Sequence, residues 1–228
     1  MAETVVLPAR FNGPPASANG GYTAGRVAAL AGDGPVEVTL LRPPPLDREL
    51  RVERHADGSV RLLDGDDVVA SGRPLEALEI DVPAVVDVAA AHAAGAATPL
   101  AHEHPFPTCF GCGPMRGDDG LHCLCGPVAG REGIWAVGWT PGQSSRELVW
   151  AALDCPSSAP VSEPGGAPHL LGRIAARVDR LPLAGVPHAV MSWTRSLDGR
   201  KKHTGSALVD GDGGVLAIAH ATWIELRS

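Results

Sequence analysis

Aromatic side chains are scarce, at 4% of the 228 residues against a hydrophobic share of 44%. Alanine, valine and leucine must therefore fill most of any core. Positive charge is also short: 19 lysines and arginines face 26 aspartates and glutamates, for a net charge of −7. The basic triplet Arg200-Lys201-Lys202 is too short to track a phosphate backbone, so no nucleic-acid partner is expected. No apolar run approaches the roughly 18 residues of a membrane span, so no membrane partner is expected either. Met1-Ala2-Glu3-Thr4 has neither the basic start nor the apolar stretch of an export signal. Five cysteines without such a signal argue against a disulfide scaffold. These absences point to a soluble, cytoplasmic protein.

What the chain has in quantity is glycine and proline, 28 and 21 residues spread along its length. That distribution predicts many short elements joined by tight turns. Val5 to Phe11 reads as a strand or the approach to one, and Phe11 to Tyr22 as a loop that delivers the chain to a helix. Tyr22 to Ala31 is a small apolar helix ended by Gly32-Asp33-Gly34-Pro35. Val36 to Leu41, Leu50 to His55, Val60 to Leu63 and Val68 to Ser71 are strands, with Asp57-Gly58 and Asp64-Gly65 as hairpin turns. The alanine-rich stretch Val85 to Ala97 is a helix connecting two halves.

The second half repeats the plan. Leu121 to Cys125 and Ile134 to Trp139 are expected strands, Leu148 to Asp154 a helix, and Pro156 to Pro168 a loop. Gly172 to Val178, Ala189 to Thr194, Gly205 to Val209 and Val215 to Leu226 complete the β set. Val38 to Leu46 can be laid on Ala175 to Leu183, and Gly65 to Ala70 on Gly211 to Ala217. An internal duplication of roughly 100 residues per unit follows, a period well above the solenoid range. The expected organisation is an N-terminal unit over residues 1–84, a helical connector over 85–106 and a C-terminal unit over 107–228.

One residue stands out chemically. Asp154 closes the run Trp150-Ala151-Ala152-Leu153-Asp154, where aspartate is a poor helix former and a buried carboxylate needs a partner. Such a group either bonds a neighbouring backbone N–H or serves as a base facing a cleft.

A helix followed by a twisted antiparallel meander, present twice, resembles the double hotdog. Asn19-Gly20-Gly21-Tyr22 resembles the His-Gly-Gly start of the central helix in hotdog thioesterases. Cys109-Phe110-Gly111-Cys112-Gly113-Pro114, followed by Gly120-Leu121-His122, resembles the opening of phenylacetate-pathway-type thioesterase domains. Ala151-Ala152-Leu153-Asp154 matches the place where those enzymes, and the acyl-CoA thioesterase II type, carry an aspartate.

The resemblance implies an α+β double hotdog, with two antiparallel sheets each wrapped around a central helix. It also implies an acyl-CoA or other acyl thioester as ligand, no cofactor, and a homo-oligomer. Asp154 is then the candidate base, Asn19, Gly20 and Gly21 the groups holding the thioester carbonyl, Ser157 or Ser158 the group orienting water, and Ser157 and Thr222 further substrate contacts.

The sequence departs from the pattern in several places. Ser145-Arg146-Glu147 stands nine residues before Asp154, where the family has His-Gly-Gly, and Ala28 stands nine residues after Asn19. The two halves hold complementary fragments, one with the glycines and one with the carboxylate, which implies one composite site per chain. The acyl-CoA thioesterase II type also uses a last-strand glutamine, which falls at Ala221 beside Thr222, and a hydroxyl residue, which falls at Gly172 or Arg173. A non-catalytic acyl-binding or assembly module is accordingly the alternative, and no His/Asp pair is arranged for a hotdog dehydratase.

Cys109-x-x-Cys112-Gly has zinc-knuckle spacing, and Cys123-x-Cys125 could complete four thiolates, with His102, His104 and His122 nearby. Cys123 and Cys125 fall in an expected strand, however, and Cys-x-Cys is an atypical second pair. No metal ligand is therefore assigned. His220 is expected to be packed or at an edge, and the five tryptophans to anchor the core or line an acyl pocket.

Overall fold

A computed structural model of the chain describes residues 3–227. Asn19 starts the first helix, α1 (Gly20–Ala31), its side chain accepting the Tyr22 N–H, and Gly32 ends it at φ 136°. Ser145 starts α3 (Arg146–Ser158) in the same way, accepting from Leu148 N–H. The equivalence of Asn19 and Ser145 drawn from sequence is thus an equivalence of helix caps. Between them, α2 (Val88–Ala96) is capped by Asp87, which accepts from Ala90 N–H.

The strands are β1 (Thr4–Val6), β2 (Val36–Leu40), β3 (Glu49–Arg54), β4 (Val60–Asp64), β5 (Asp67–Pro74) and β6 (Gly126–Pro127). They continue with β7 (Ile134–Trp139), β8 (His169–Val178), β9 (His188–Asp198), β10 (Lys201–Val209) and β11 (Val215–Glu225). All eleven join one antiparallel sheet in the order β1-β3-β4-β5-β2-β8-β11-β10-β9-β7-β6. The two sheets expected, one for each half, are joined here into one continuous sheet. Pairing of β2 with β8, from Val36 opposite Ala176 to Thr39 opposite Arg173, fuses the halves edge to edge.

Reading outward from that seam, the N-terminal half runs β2, β5, β4, β3, β1 and the C-terminal half runs β8, β11, β10, β9, β7. The same element order on both sides supports the internal repeat. Its bends agree in detail. Leu41 and Arg42 both donate their N–H to the Val69 carbonyl, at 2.9 and 3.2 Å, and Asp179 and Arg180 both donate to that of Leu216, at 2.9 and 3.1 Å. Each arginine then meets an aspartate of the neighbouring hairpin, Arg42 with Asp67 and Arg180 with Asp210. The sequence alignment had set Arg42 against Asp179. The bend pairs it with Arg180, one position later.

Two other expectations change. Pro156 does not end α3, which runs on to Ser158 before a 3-10 turn at Ala159–Val161. Proline removes one intrahelical donor there, and hydroxyls serve nearby carbonyls: Ser206 on Leu153, Ser157 on Asp154, and Ser158 on Cys155. Leu121 to Cys125 lies outside the named strands, although Leu121 and Cys123 donate their N–H groups to the Phe110 and Gly111 carbonyls.

The main core lies between the sheet's inner face and the two central helices, with Val27, Leu50, Leu62, Leu153, Ile174 and Leu208 fully buried. The connector helix α2 does more than join the halves. It covers the sheet's outer face, where Ala91 and Ala94 pack with Ala136, Met191 and Trp193 in a second, smaller core.

The inner helices touch through bare backbone. A Cβ on Gly21 would lie 2.3 Å from Asp154 Cβ, 2.6 Å from the Trp150 carbonyl oxygen and 2.9 Å from Ala151 Cα. One turn on, a Cβ on Gly25 would lie 2.7 Å from Glu147 Cα. Glycines four apart on α1 therefore let α3 approach as close as backbone permits. Because backbone cannot step aside as a side chain can, Gly21→Ala is expected to destabilise the chain by about 1–3 kcal/mol. Gly34→Ala, which meets open space, is expected to be neutral or to add up to about 1 kcal/mol. Urea unfolding of the two variants checks the contrast, and equal effects would contradict it.

Candidate functional site

The site is built where α1 begins and the third turn of α3 passes it. Asp154 is 2% exposed. Its Oδ2 accepts the Gly21 N–H at 2.7 Å, while its Oδ1, also buried, has no hydrogen-bond partner. Burial pushes the carboxyl up to about 7, against the opposing pull of the Gly21 N–H. The bond to a backbone N–H, one of the two readings offered by the sequence, is present. One oxygen holds a backbone N–H and the other is unpartnered.

A cavity of about 610 Å³ opens onto this point. The N-terminal half contributes Asn19, Gly20 and Leu40 to its wall, and the C-terminal half Asp154, Ser158, Leu171 and Trp223. The volume lies within the range typical of small-molecule pockets, and an apolar wall with a few convergent polar groups is the usual composition of one.

The Cys109–Gly113 loop forms part of the same wall and is strapped to the N-terminal half. Phe110 donates its N–H to the Asn12 carbonyl at 2.8 Å. Its ring meets Phe11 edge-on at 4.9 Å, and Phe11 stacks on Tyr22 at 3.7 Å. Arg116 holds the outer side of the loop, donating to Asn12 Oδ1, to the Arg10 and Thr108 carbonyls, and to Asp119. Residues assigned by sequence to the start of the C-terminal unit thus pack on the N-terminal one.

This strapping brings Cys109 and Cys112 to Cys155, the residue after Asp154. The three Sγ atoms lie within 4.8 Å of one another, with Cys109 and Cys155 3.8 Å apart. Asn19 Nδ2 points at the group, 3.4 Å from Cys155 Sγ and 3.9 Å from Cys109 Sγ, while Asn19 Oδ1 caps α1. His104 Nε2 sits 3.5 Å from Cys112 Sγ. Hydrogen bonds from the neighbouring Cys112 and Cys155 thiols hold the Cys109 thiol well below the ordinary thiol range. Burial lowers the His104 imidazole.

The residues singled out from sequence divide cleanly. Asp154, Asn19 and Gly20 line the cavity, and Gly21 holds Asp154 from behind. Ser157 is fully buried; its hydroxyl donates to the Asp154 carbonyl at 2.7 Å and accepts the Trp223 indole N–H at 2.9 Å. Ser158, not Ser157, reaches the cavity wall. Thr222 pairs its hydroxyl with His203 Nδ1 at 3.1 Å and is absent from the wall. Cys123 and Cys125 are buried apart from the sulfur cluster. Sequence spacing did not couple Cys155 to the Cys109-x-x-Cys112 pair. The signal available was a cysteine directly beside the odd helical carboxylate.

With this geometry in place, the fold can be assigned. The chain has the hotdog fold: solved structures that match it over nearly their whole length carry that fold. They include a hotdog-fold protein of unknown function from Alicyclobacillus acidocaldarius, 10% identical, with a TM-score of 0.62 over 99% of this chain and 93% of that one. An acyl-CoA thioesterase II from Mycobacterium marinum is 13% identical, with a TM-score of 0.56 over 93% and 92%. A tesB protein of Mycobacterium avium subspecies paratuberculosis is 12% identical, with a TM-score of 0.60 over 97% and 91%. No family model matches the sequence, and no curated protein does. Among the described residues, no helix is long and apolar enough to cross a membrane.

The placement of Ser157 gives a prediction. Ser157→Ala removes the acceptor of the buried Trp223 N–H and is expected to lower unfolding stability by about 1–3 kcal/mol. Denaturant unfolding checks it, and an unchanged midpoint would show the bond to be dispensable.

Proposed function

We propose that the chain is a double-hotdog protein of the acyl-CoA thioesterase type, with one composite site between its halves. Its units are residues 1–84 and 107–228, with 85–106 connecting them. The ligand is an acyl-CoA or similar acyl thioester, its acyl chain in the cavity against Leu40, Leu171 and Trp223. The observation that carries this reading is the buried, unpartnered Oδ1 of Asp154, a residue that lines that cavity.

In the proposed reaction the Asp154 carboxylate takes a proton from a water molecule as the water oxygen attacks the thioester carbonyl. The carbon–sulfur bond then breaks, and the thiolate leaves and collects that proton. Negative charge building on the carbonyl oxygen is stabilised at the N-terminus of α1, where Gly20 brings bare backbone to the cavity and the helix dipole favours an anion. Gly21 plays a different part from Gly20, because its N–H is bonded to the carboxylate. Its contribution is to fix Asp154 against α1. Thr222 and Ser157, turned to His203 and Trp223, are left out of the reaction.

The alternative, an acyl-binding module without turnover, draws on a specific feature. Ala221, and Gly172 or Arg173, stand where the acyl-CoA thioesterase II type has a glutamine and a hydroxyl, leaving the Asp154 carboxylate without those partners. Homo-oligomer formation also remains part of the proposal. The sheet's two edges, β1 and β6, are short, so association is expected through faces and loops instead.

Thiol release from a panel of acyl-CoA substrates separates the two readings. Asp154→Asn is expected to lower kcat by about 10²–10⁴-fold with KM changed little. Turnover unaffected by the substitution would remove the mechanism. Thioester binding without any turnover in the unaltered chain would favour the binding module.

A further inference from the structure

We propose that Cys109, Cys112 and Cys155 bind a zinc ion as three thiolate ligands, pinning the Cys109–Gly113 loop to α3. The sulfur geometry suits it. A tetrahedral zinc with Zn–S bonds of ~2.3 Å sets its ligand sulfurs ~3.8 Å apart, and Cys109 Sγ and Cys155 Sγ are separated by 3.8 Å. The third sulfur, that of Cys112, lies within 4.8 Å of both. All five cysteines are free thiols, so none of the three is committed to a disulfide.

The surroundings are built for the cluster. Cys109-Phe110-Gly111-Cys112-Gly113 is a knuckle whose Gly113 N–H returns to the Cys109 carbonyl at 2.9 Å. Both of its glycines are required. A Cβ on Gly111 would lie 2.6 Å from Cys155 Sγ, and one on Gly113 would lie 2.5 Å from Cys109 N. Asn19, locked by its capping bond, aims its amide N–H at two of the sulfurs, the outer hydrogen bonding that orients metal-bound thiolates.

His104 supports the set without joining it. Phe106 donates its N–H to His104 Nδ1 at 3.1 Å, which leaves the imidazole proton on Nε2, 3.5 Å from Cys112 Sγ. The ring therefore donates to the sulfur, and the fourth metal position is left to the cavity. Cys109, Cys112, Cys155 and His104 all line that cavity, which gives a cation its route in. Soft thiolate ligands favour zinc over magnesium or calcium.

This inference is independent of the thioester reading, and its test needs no turnover. The full chain is loaded with zinc sulfate, freed of excess metal by gel filtration, and measured for metal and for free thiols. About one zinc per chain is expected, falling below ~0.2 in Cys155→Ser and in Cys109→Ser and staying near one in Cys123→Ser. His104→Ala is expected to keep the stoichiometry and weaken zinc binding by about 10–100-fold. Cobalt loading is expected to give sulfur-to-metal charge-transfer absorption.

Should a cysteine variant fail to fold, the unaltered chain decides the matter. Zinc is expected to shield three of the five thiols from a thiol reagent until a chelator is added. Less than ~0.2 zinc per loaded chain, full occupancy in Cys155→Ser, or no thiol protection would each overturn the proposal. A chain that takes up no zinc on loading yet hydrolyses thioesters would overturn this inference alone, and a zinc-loaded chain without hydrolysis would leave it standing.

Discussion

Backbone-to-backbone approach of the two central helices is the constraint on which the rest of the structure depends. Gly21 and Gly25 leave α1 without side chains along the line where α3 crosses. A bulkier residue at either place would push the helices apart and strain the β2–β8 seam beneath them. The same approach puts the Gly21 N–H 2.7 Å from a carboxylate on the other helix. Packing and chemistry are thus set by one absence of side-chain volume.

Asp154 is buried at a cost that its single hydrogen bond offsets only in part. Around it, short side chains do several things at once. Asn19 ends a helix with its oxygen and reaches two sulfurs with its nitrogen. Ser157 holds a carbonyl beside Pro156 and accepts the indole N–H of a cavity-wall tryptophan. The aromatic trio of Phe11, Tyr22 and Phe110 ties the cysteine loop to the start of α1. In a chain with so few aromatics, three of them pack together beside the site.

Local chemistry made much of the fold legible. Caps, hairpin turns and alternating runs located most strands and all three helices, because those signals act within a few residues of one another. The repeat was readable for the same reason, since each half closes its own bends. Misreadings arose where distant contacts decide. Pro156 ended a helix on paper and not in the fold, where α3 runs on to Ser158 and hydroxyls from β10 and from α3 itself bond the neighbouring Leu153 and Asp154 carbonyls. Thr222 sat beside the right position but faces His203 across the sheet. Cys155 stands 46 residues from Cys109, and no spacing rule joins them. Only the meeting of the strapped loop with α3 does so.

The repeated element order lies within one chain, so the two halves are free to differ where two copies in a symmetric dimer could not. A symmetric dimer must carry every substitution twice, so each of its sites inherits every gain and every loss. Here Ala28 occupies the position in α1 that Asp154 holds in α3, measured from caps that match. One half presents an acid at this position and the other a buried alanine. With both halves in one chain the two need not match, and a single cavity takes its acid from one half and part of its wall from the other.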